Sequence, residues 1–395
     1  MGSKKKLVIV STHPVQYNAP LFKLLAERGN IEITVIYSWG PAVKDPVYDP
    51  GFEKIIQWDL PLLEGYKYIF PENTAKQKGS HHFNGIDNPG IITIIKDCAP
   101  DAILVYGWSF KSHLKLLRYF SNKKMILFRG DSTLLDDKAG GFRAVIRKYF
   151  LTWVYRYIHY ALYTGKNNYN YFTEAGLRNA QLLYAPHAVD NGRFYKNSES
   201  EAQALEYRRT LNIGAGELVF LFAGKFESKK DPLLLLSAFM EQDLYKNAQL
   251  VFVGNGRLEN ELKQMAAGVP SIHFMDFQNQ TRMPGVYQMA DVFVLPSKGP
   301  GETWGLAINE SMAAGCAVIA SDKCGGAIDL VENGSNGFIF KSGNRKELTD
   351  SMQAMAGNPG RLVAMKAASI EKIAAFSFTA VATTIEIIVA RAGTI

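Results

Sequence analysis

The stretch from Leu295 to Gly326, LPSKGPGETWGLAINESMAAGCAVIASDKCGG, restricts the possible folds of this chain more than any other. It reads as the end of an apolar strand, a polar glycine-rich loop running into a helix, an Ala-Gly turn, a short strand from Ala317 to Ala320 and a second loop. Glu302 and Glu310 stand eight positions apart across the loop and the helix start. One carboxylate can therefore meet the leading end of a ligand while the other holds a hydroxyl further back. Between them, the N–H groups from Thr303 to Leu306 belong to a first helical turn, whose donors have no partner inside the helix and suit an anion. A sugar nucleotide, with a diphosphate in the middle and polyols at both ends, fits that arrangement.

A chain of 395 residues exceeds the usual size of one hydrophobic core and predicts two domains. Lys and Arg number 44 against 37 Asp and Glu, a formal charge of +7, which favours anionic ligands but is spread too thinly to imply nucleic acid. Cys98, Cys316 and Cys324 are odd in number and lack zinc-site spacing, which fits a reducing cytosol. The basic start MGSKKK leads into an apolar run too short for a signal-peptide core, and no apolar stretch reaches the length that spans a bilayer. The expected location is cytoplasmic, with the inner face of the cell membrane as the surface within reach.

In chain order, Leu7 to Ser11, the loop THPVQYNAP, the leucine-spaced Leu21 to Glu27 and Ile31 to Tyr37 form a strand, loop, helix and strand. This βαβ opening puts His13, Gln16, Tyr17 and Asn18 at the carboxyl end of a parallel strand, where such sheets bind ligands. His13 and Asn18 either contact a ligand or satisfy the backbone around Pro14 and Pro20. Residues 45–90 show no steady period, and within them Gly51 to Asn73 suggests an irregular strand pair. His81 and His82 lack a third metal ligand at suitable spacing. Met125 to Phe128 delivers Arg129, Gly130 and Asp131 to the same sheet edge. There Arg129 either meets a phosphate or acidic acceptor, or pairs locally with Asp131. In Phe142 to Tyr163, aromatics alternate with Arg143, Arg147, Lys148 and Arg156; the stretch is either a helix lying on anionic lipid or a core helix with arginines along its rim.

The second half reads Leu218 to Ala223 as a strand, then Gly224, Lys225 and the loop to Lys230 before a helix from Pro232. Two ammonium groups at a strand-to-helix loop can neutralise a diphosphate, although a lysine pair alone reads equally as solvated surface. Gly254, Asn255 and Gly256 follow the strand Gln249 to Val253 as a tight turn. Helices over Arg345 to Met355, Arg361 to Ile370 and Ile373 to Val389 complete the chain.

Taken in order, GKFESKK, VGNG and PSKGPGETWGLAINESMAAG resemble the motifs of the retaining, GT-B-fold glycosyltransferases of family 4, the glycosyl transferases group 1. The likeness is strongest from about Phe220 to Phe340 and looser before it. Trp304 stands where that family has Phe, Ser311 where it has Ala, Ala317 where it has Pro, and Lys225 where it has Arg. FRGDST stands where many members carry a histidine. The resemblance implies two doubly wound α/β, Rossmann-like domains facing across a deep cleft. Residues 1–200 form the acceptor domain, with 375–395 crossing back onto it, and 201–374 form the nucleotide-sugar domain. It implies transfer of a sugar from a UDP-, GDP- or ADP-linked donor to a hydroxyl of a saccharide or lipid-linked saccharide, with retention, no metal and no other cofactor. Surface polysaccharide or glycoconjugate synthesis is the expected setting.

The implied donor contacts are Lys225, Lys230, Gly254, Trp304, Gly305, Leu306 and Glu310, the last on the ribose hydroxyls. Glu302, Lys230, Lys225, His13 and Arg129 are the implied reacting-centre residues. Two alternatives use the same fold: a sugar-nucleotide 2-epimerase, and a catalytically idle protein that binds a nucleotide or partner.

Overall fold

A computed structural model describes residues 4–40, 47–137 and 142–393. The strands in chain order are β1 (Lys6–Ser11), β2 (Glu32–Tyr37), β3 (Val47–Asp49), β4 (Lys54–Ile56), β5 (Lys67–Ile69), β6 (Ala102–Tyr106), β7 (Met125–Arg129), β8 (Tyr160–Tyr163) and β9 (Leu182–Tyr184). They continue with β10 (Leu218–Ala223), β11 (Ala248–Val253), β12 (Ile272–Met275), β13 (Val292–Leu295), β14 (Ala317–Ser321) and β15 (Gly337–Phe340). Apolar runs such as LVIV in β1 and VFLF in β10 are buried on both faces, as strands of a helix-covered parallel sheet must be.

The chain divides into two compact units. In the first, a parallel sheet of order β5-β2-β1-β6-β7-β8-β9 carries a core that includes Val8, Val10, Ile103, Val105, Ile126, Leu116 and Phe172. In the second, the parallel order is β12-β11-β10-β13-β14-β15, around Phe220, Phe222, Phe252, Val292, Ile319 and Met352. Helices connect most neighbouring strands, β2 to β5 excepted; the first, Ala19–Arg28, opens with Pro20 and stops at Gly29, whose φ of 62° only glycine adopts without strain. Both sheets reverse direction of growth once, between β1 and β6 and between β10 and β13. Such switch points leave a crevice at the strands' carboxyl ends.

The first unit holds Met1–Asp45, Leu60–His187 and Phe378–Ile395, and the second Pro46–Asp59 and Ala188–Ser377. The change of unit thus falls before Ala188 rather than at residue 200. Val189 bridges to Ser377, Asn191 Nδ2 donates to the carbonyls of Ile373 and Phe376, and Phe194 packs edge-on against Tyr287. The polar run that follows is the capped start of helix Ser198–Thr210, where Asn197 accepts from Ser200 N. The last helix, Phe378–Ala390, packs in the first unit: Glu386 pairs with Arg28 at 2.8 Å and Thr384 donates to Tyr184 O. The antiparallel pair is β3 with β4, so only β4 falls within the stretch expected to supply a strand pair, Gly51 to Asn73, and the pair belongs to the second unit.

The basic aromatic stretch splits into helix Phe142–Tyr155 and strand β8. Leu151, Val154 and Tyr155 are core, but Val145, Ile146, Tyr149 and Phe150 are exposed, Tyr149 by 74%. Neither reading alone describes it, because one face is packed and the other is an apolar stripe in solvent. Arg147 pairs with Asp137, Lys148 with Glu174 at 2.8 Å, and Arg156 lies over the Tyr157 ring, while the Arg143 side chain lies outside the described residues. Among the described residues, no helix is long and apolar enough to cross a membrane.

Candidate functional site

The carboxyl ends of β10 and β13 deliver two loops to the switch point of the second sheet. The β10 loop carries Lys225 and Lys230; the β13 loop runs from Pro296 to Gly305. They are joined by Lys298 N donating to Lys229 O at 2.8 Å and by a Lys298–Asp231 ion pair at 3.2 Å. At the centre Lys230 Nζ pairs with Glu302 Oε2, which also accepts from Ser297 Oγ at 2.9 Å. Lysine and glutamate, separated by 72 positions in the chain, are thus one ion pair of largely buried side chains.

Helix Leu306–Ala313 begins immediately beyond, with Gly305 at φ 91° as its N-cap and no side chain capping it. The first-turn donor at Leu306 has no place in the helix's own ladder. Glu310 lies one turn further in. It is 3% exposed, and its Oε2 accepts from the Tyr287 hydroxyl at 2.8 Å. Trp304 is buried, its indole N–H on Asn309 Oδ1 at 2.7 Å and its carbonyl accepting from Gly326 N. Gly325 N in turn donates to Glu302 O. A Cβ at Gly325 would lie 1.8 Å from Thr303 O, so the second loop can close on the first only with glycine there. Cys316 and Cys324 below are pushed up to about 12 by burial, which leaves them inert thiols.

Lys225 is held differently. Its ammonium lies 2.8 Å from Asp49 Oδ1 and 5.0 Å from the Phe52 ring centre, so the β3–β4 turn supplies its partner. Burial raises the Asp49 carboxyl, but Lys225 and the Phe52 and Gly51 N–H groups outweigh it and hold the pKa below the ordinary value. At Gly254, φ is 135° and a Cβ would come within 2.1 Å of Gly224 O, so this glycine lets the β10 and β11 loops touch. Asn255 ties the same edge together, donating to Glu259 and Asp276 and accepting from Phe277 N. Among the described residues, no group of three or more His, Cys, Asp or Glu is placed to hold a metal ion.

In the first unit, His13 follows β1 at the switch point beside β6. It is half-buried, with Nδ1 3.0 Å from Thr12 Oγ1 and the ring edge-on to Trp39, and burial lowers its pKa, so the imidazole is neutral at neutral pH. Arg129 corrects its expectation. It is 6% exposed, and its two terminal nitrogens donate to Ala185 O at 2.8 Å and Pro186 O at 3.0 Å. The guanidinium fastens the β9 exit to β7 and does not present itself to a phosphate.

The structure therefore brings Lys225, Lys230, Gly254, Glu302, Trp304, Gly305, Leu306 and Glu310 to one edge of the second sheet. It leaves His13 and Arg129 on the first. Sequence reasoning assigned no role to Ser297 on Glu302, Tyr287 on Glu310 or Asp49 on Lys225. Ser297 lay inside the recognised motif; Asp49 is 176 positions from its partner and gives no local signal.

Residues 203–372 match the family model described as Glycosyl transferases group 1. The chain is similar to the D-inositol 3-phosphate glycosyltransferase of Actinosynnema mirum, 29% identical over 212 residues, covering 50% of this chain and 49% of that protein. It is also similar to the lipopolysaccharide 1,2-N-acetylglucosaminetransferase of Salmonella typhimurium, 32% identical over 177 residues, covering 41% and 46%. The chain spans about half the length of these curated relatives. Among solved structures, that of HepE from Anabaena in complex with UDP and glucose superposes with a TM-score of 0.70 at 16% identity, over 98% of this chain and 99% of that one. Residues 203–372 thus resemble the glycosyl transferases group 1, and the chain has the GT-B fold.

Proposed function

We propose that this protein is a retaining glycosyltransferase, moving a sugar from a nucleoside diphosphate sugar to an acceptor hydroxyl. The observation that carries the reading is the Lys230–Glu302–Ser297 cluster beside the open start of helix Leu306–Ala313, at the switch point of the second sheet. As the bond from the anomeric carbon to the diphosphate breaks, negative charge grows on the departing oxygen. Lys230, Lys225 and the Leu306 N–H stabilise it. Glu302 accepts from hydroxyls of the transferred sugar, and Glu310 from those of the ribose. The acceptor oxygen bonds to the anomeric carbon on the leaving-group face, and its proton passes to the departing phosphate oxygen, so no side-chain base is required.

The lysines bring positive charge that a divalent ion would otherwise bring, so transfer is expected to survive excess EDTA after the protein is stripped of divalent ions. Restoration of a lost activity by Mg²⁺ or Mn²⁺ would refute this. The site reading is tested by following nucleotide release from UDP-, GDP- and ADP-sugars, with and without saccharide acceptors. Acceptor-dependent release by the unmodified chain that Lys230→Ala abolishes supports it; equal release by both proteins contradicts it.

The acceptor falls to the first unit, with His13 as its candidate contact. A lipid-linked saccharide is favoured by the apolar stripe of Val145, Ile146, Tyr149 and Phe150, whose form suits the plane of a bilayer interface. Because Arg147 and Lys148 already have carboxylate partners, apolar contact outweighs attraction to anionic lipid. Vesicle flotation checks this: binding that falls when Ile146 and Tyr149 become Ser supports the lipid-linked acceptor, and no flotation of the unmodified protein removes it.

A further inference from the structure

We infer that Asp49 is a positioning residue of the donor site, holding the Lys225 ammonium where a diphosphate meets it. The inference rests on the reading that Lys225 contacts the diphosphate, and it extends that reading by making the β3–β4 turn part of the donor site. Lysine is a compact charge on a flexible stem, and alone it lacks the planar, preorganised fork of arginine. Here a second group supplies the missing order. Asp49 Oδ1 accepts from Gly51 N at 2.8 Å and Phe52 N at 3.1 Å, so its own turn fixes the carboxylate. Lys225 Nζ then lies 2.8 Å from Oδ1 and 3.0 Å from Oδ2. An ammonium has three N–H donors, so Asp49 can orient the group and still leave a donor for a phosphate oxygen.

The turn is built in place by contacts that do not involve Asp49. Phe52 packs edge-on against Phe277 with ring centres 4.8 Å apart, Lys54 pairs with Asp276 at 3.0 Å, Asn279 donates to Gln57 O, and Thr281 N donates to Asp59 at 3.1 Å. Gly256 makes room for it, since a Cβ there would lie 2.9 Å from Gly51 O and 2.8 Å from Phe226 O. The turn consequently packs on the loops that end β10, β11 and β12, and its carboxylate is a fixed wall beside Lys225, not a latch that the ligand must lift. Changing Asp49 to Asn keeps an oxygen for the Gly51 and Phe52 N–H groups while removing the charge and the second oxygen that Lys225 meets.

The test is calorimetric titration of the full chain with UDP, GDP and ADP, carrying forward the nucleotide that binds the unmodified protein. Lys225→Ala and Asp49→Asn are each expected to weaken binding by about tenfold, the scale of one charge-assisted hydrogen bond. Asp49→Asn adds nothing further in the Lys225→Ala background. In the Lys225→Arg background Asp49→Asn weakens binding by less than about twofold, because arginine carries its own order. If Lys225→Ala weakens binding but Asp49→Asn does not, the positioning role falls and the diphosphate reading stands. Tighter binding by Asp49→Asn would make Asp49 a competitor of the ligand and overturn the inference. Unchanged binding by Lys225→Ala removes the premise itself.

Discussion

The two units use charge in opposite ways near the carboxyl ends of their sheets. In the second unit, the lysines of the β10 and β13 loops are half-buried or exposed and paired with acids: Lys225 with Asp49, Lys229 with Glu227, Lys230 with Glu302 and Lys298 with Asp231. These pairs keep cations oriented and within reach of an anion. In the first unit, Arg129 is sealed inside on backbone carbonyls, and His113 is fully buried between Ser38 Oγ at 2.8 Å and Gly107 O at 3.0 Å. The difference teaches that a polar residue at a strand's carboxyl end is a ligand candidate only where its hydrogen-bonding capacity is not already used by the backbone.

The comparison breaks most visibly at Lys230. Lys230→Ala is expected to lower kcat/KM by a hundredfold or more, ~3 kcal/mol of transition-state stabilisation, with the melting temperature unchanged. Steady-state kinetics beside a thermal melt decides it, and an equal loss of stability would move Lys230 into the structural class.

Arg129→Met is the converse. It leaves the carbonyls of Ala185 and Pro186 without their donor and should cost about 2–3 kcal/mol of stability, read by urea denaturation, with nucleotide binding retained by the folded fraction. Unchanged stability would reopen a ligand role for this side chain.

Acid should act on the first unit through its histidines. Burial lowers His113 to about 4; lost solvation, with the Arg129 charge second, does the same for His187. Both groups are neutral in the fold and take up protons more readily when unfolded. Their contribution is therefore complete above about pH 6.5 and is lost as pH falls towards about 4. Thermal melts across that window should show the decline, and replacing His113 by Gln should flatten it. The smallest effect belongs to the exposed stripe: Tyr149→Ser should change stability by less than about 0.5 kcal/mol, because the ring is mostly in water.

The legibility of the sequence follows the same divide. Strands such as β1, β7 and β10 were readable because burial on both faces demands unbroken apolar runs. Helix Lys166–Glu174 is hard to place from sequence, since its polar first turn hides the start. The break in the helical tail lies at Ala374 to Ser377, set by the Val189–Ser377 bridge, which no local pattern announces. Glu302 and Lys230 were legible as residues but not as an ion pair. Asp49 was invisible, because a strand pair drawn from one end of the chain joins the unit built by the other.

The central claim is that donor recognition belongs to the β10–β13 edge of the second sheet. Calorimetric titration of a nucleoside diphosphate into the full chain and its variants tests it most directly. Lys230→Ala and Glu310→Gln should each weaken binding by about tenfold or more, while His13→Ala stays within about twofold of the unmodified protein. Binding weakened by His13→Ala and untouched by Lys230→Ala and Glu310→Gln would contradict the account.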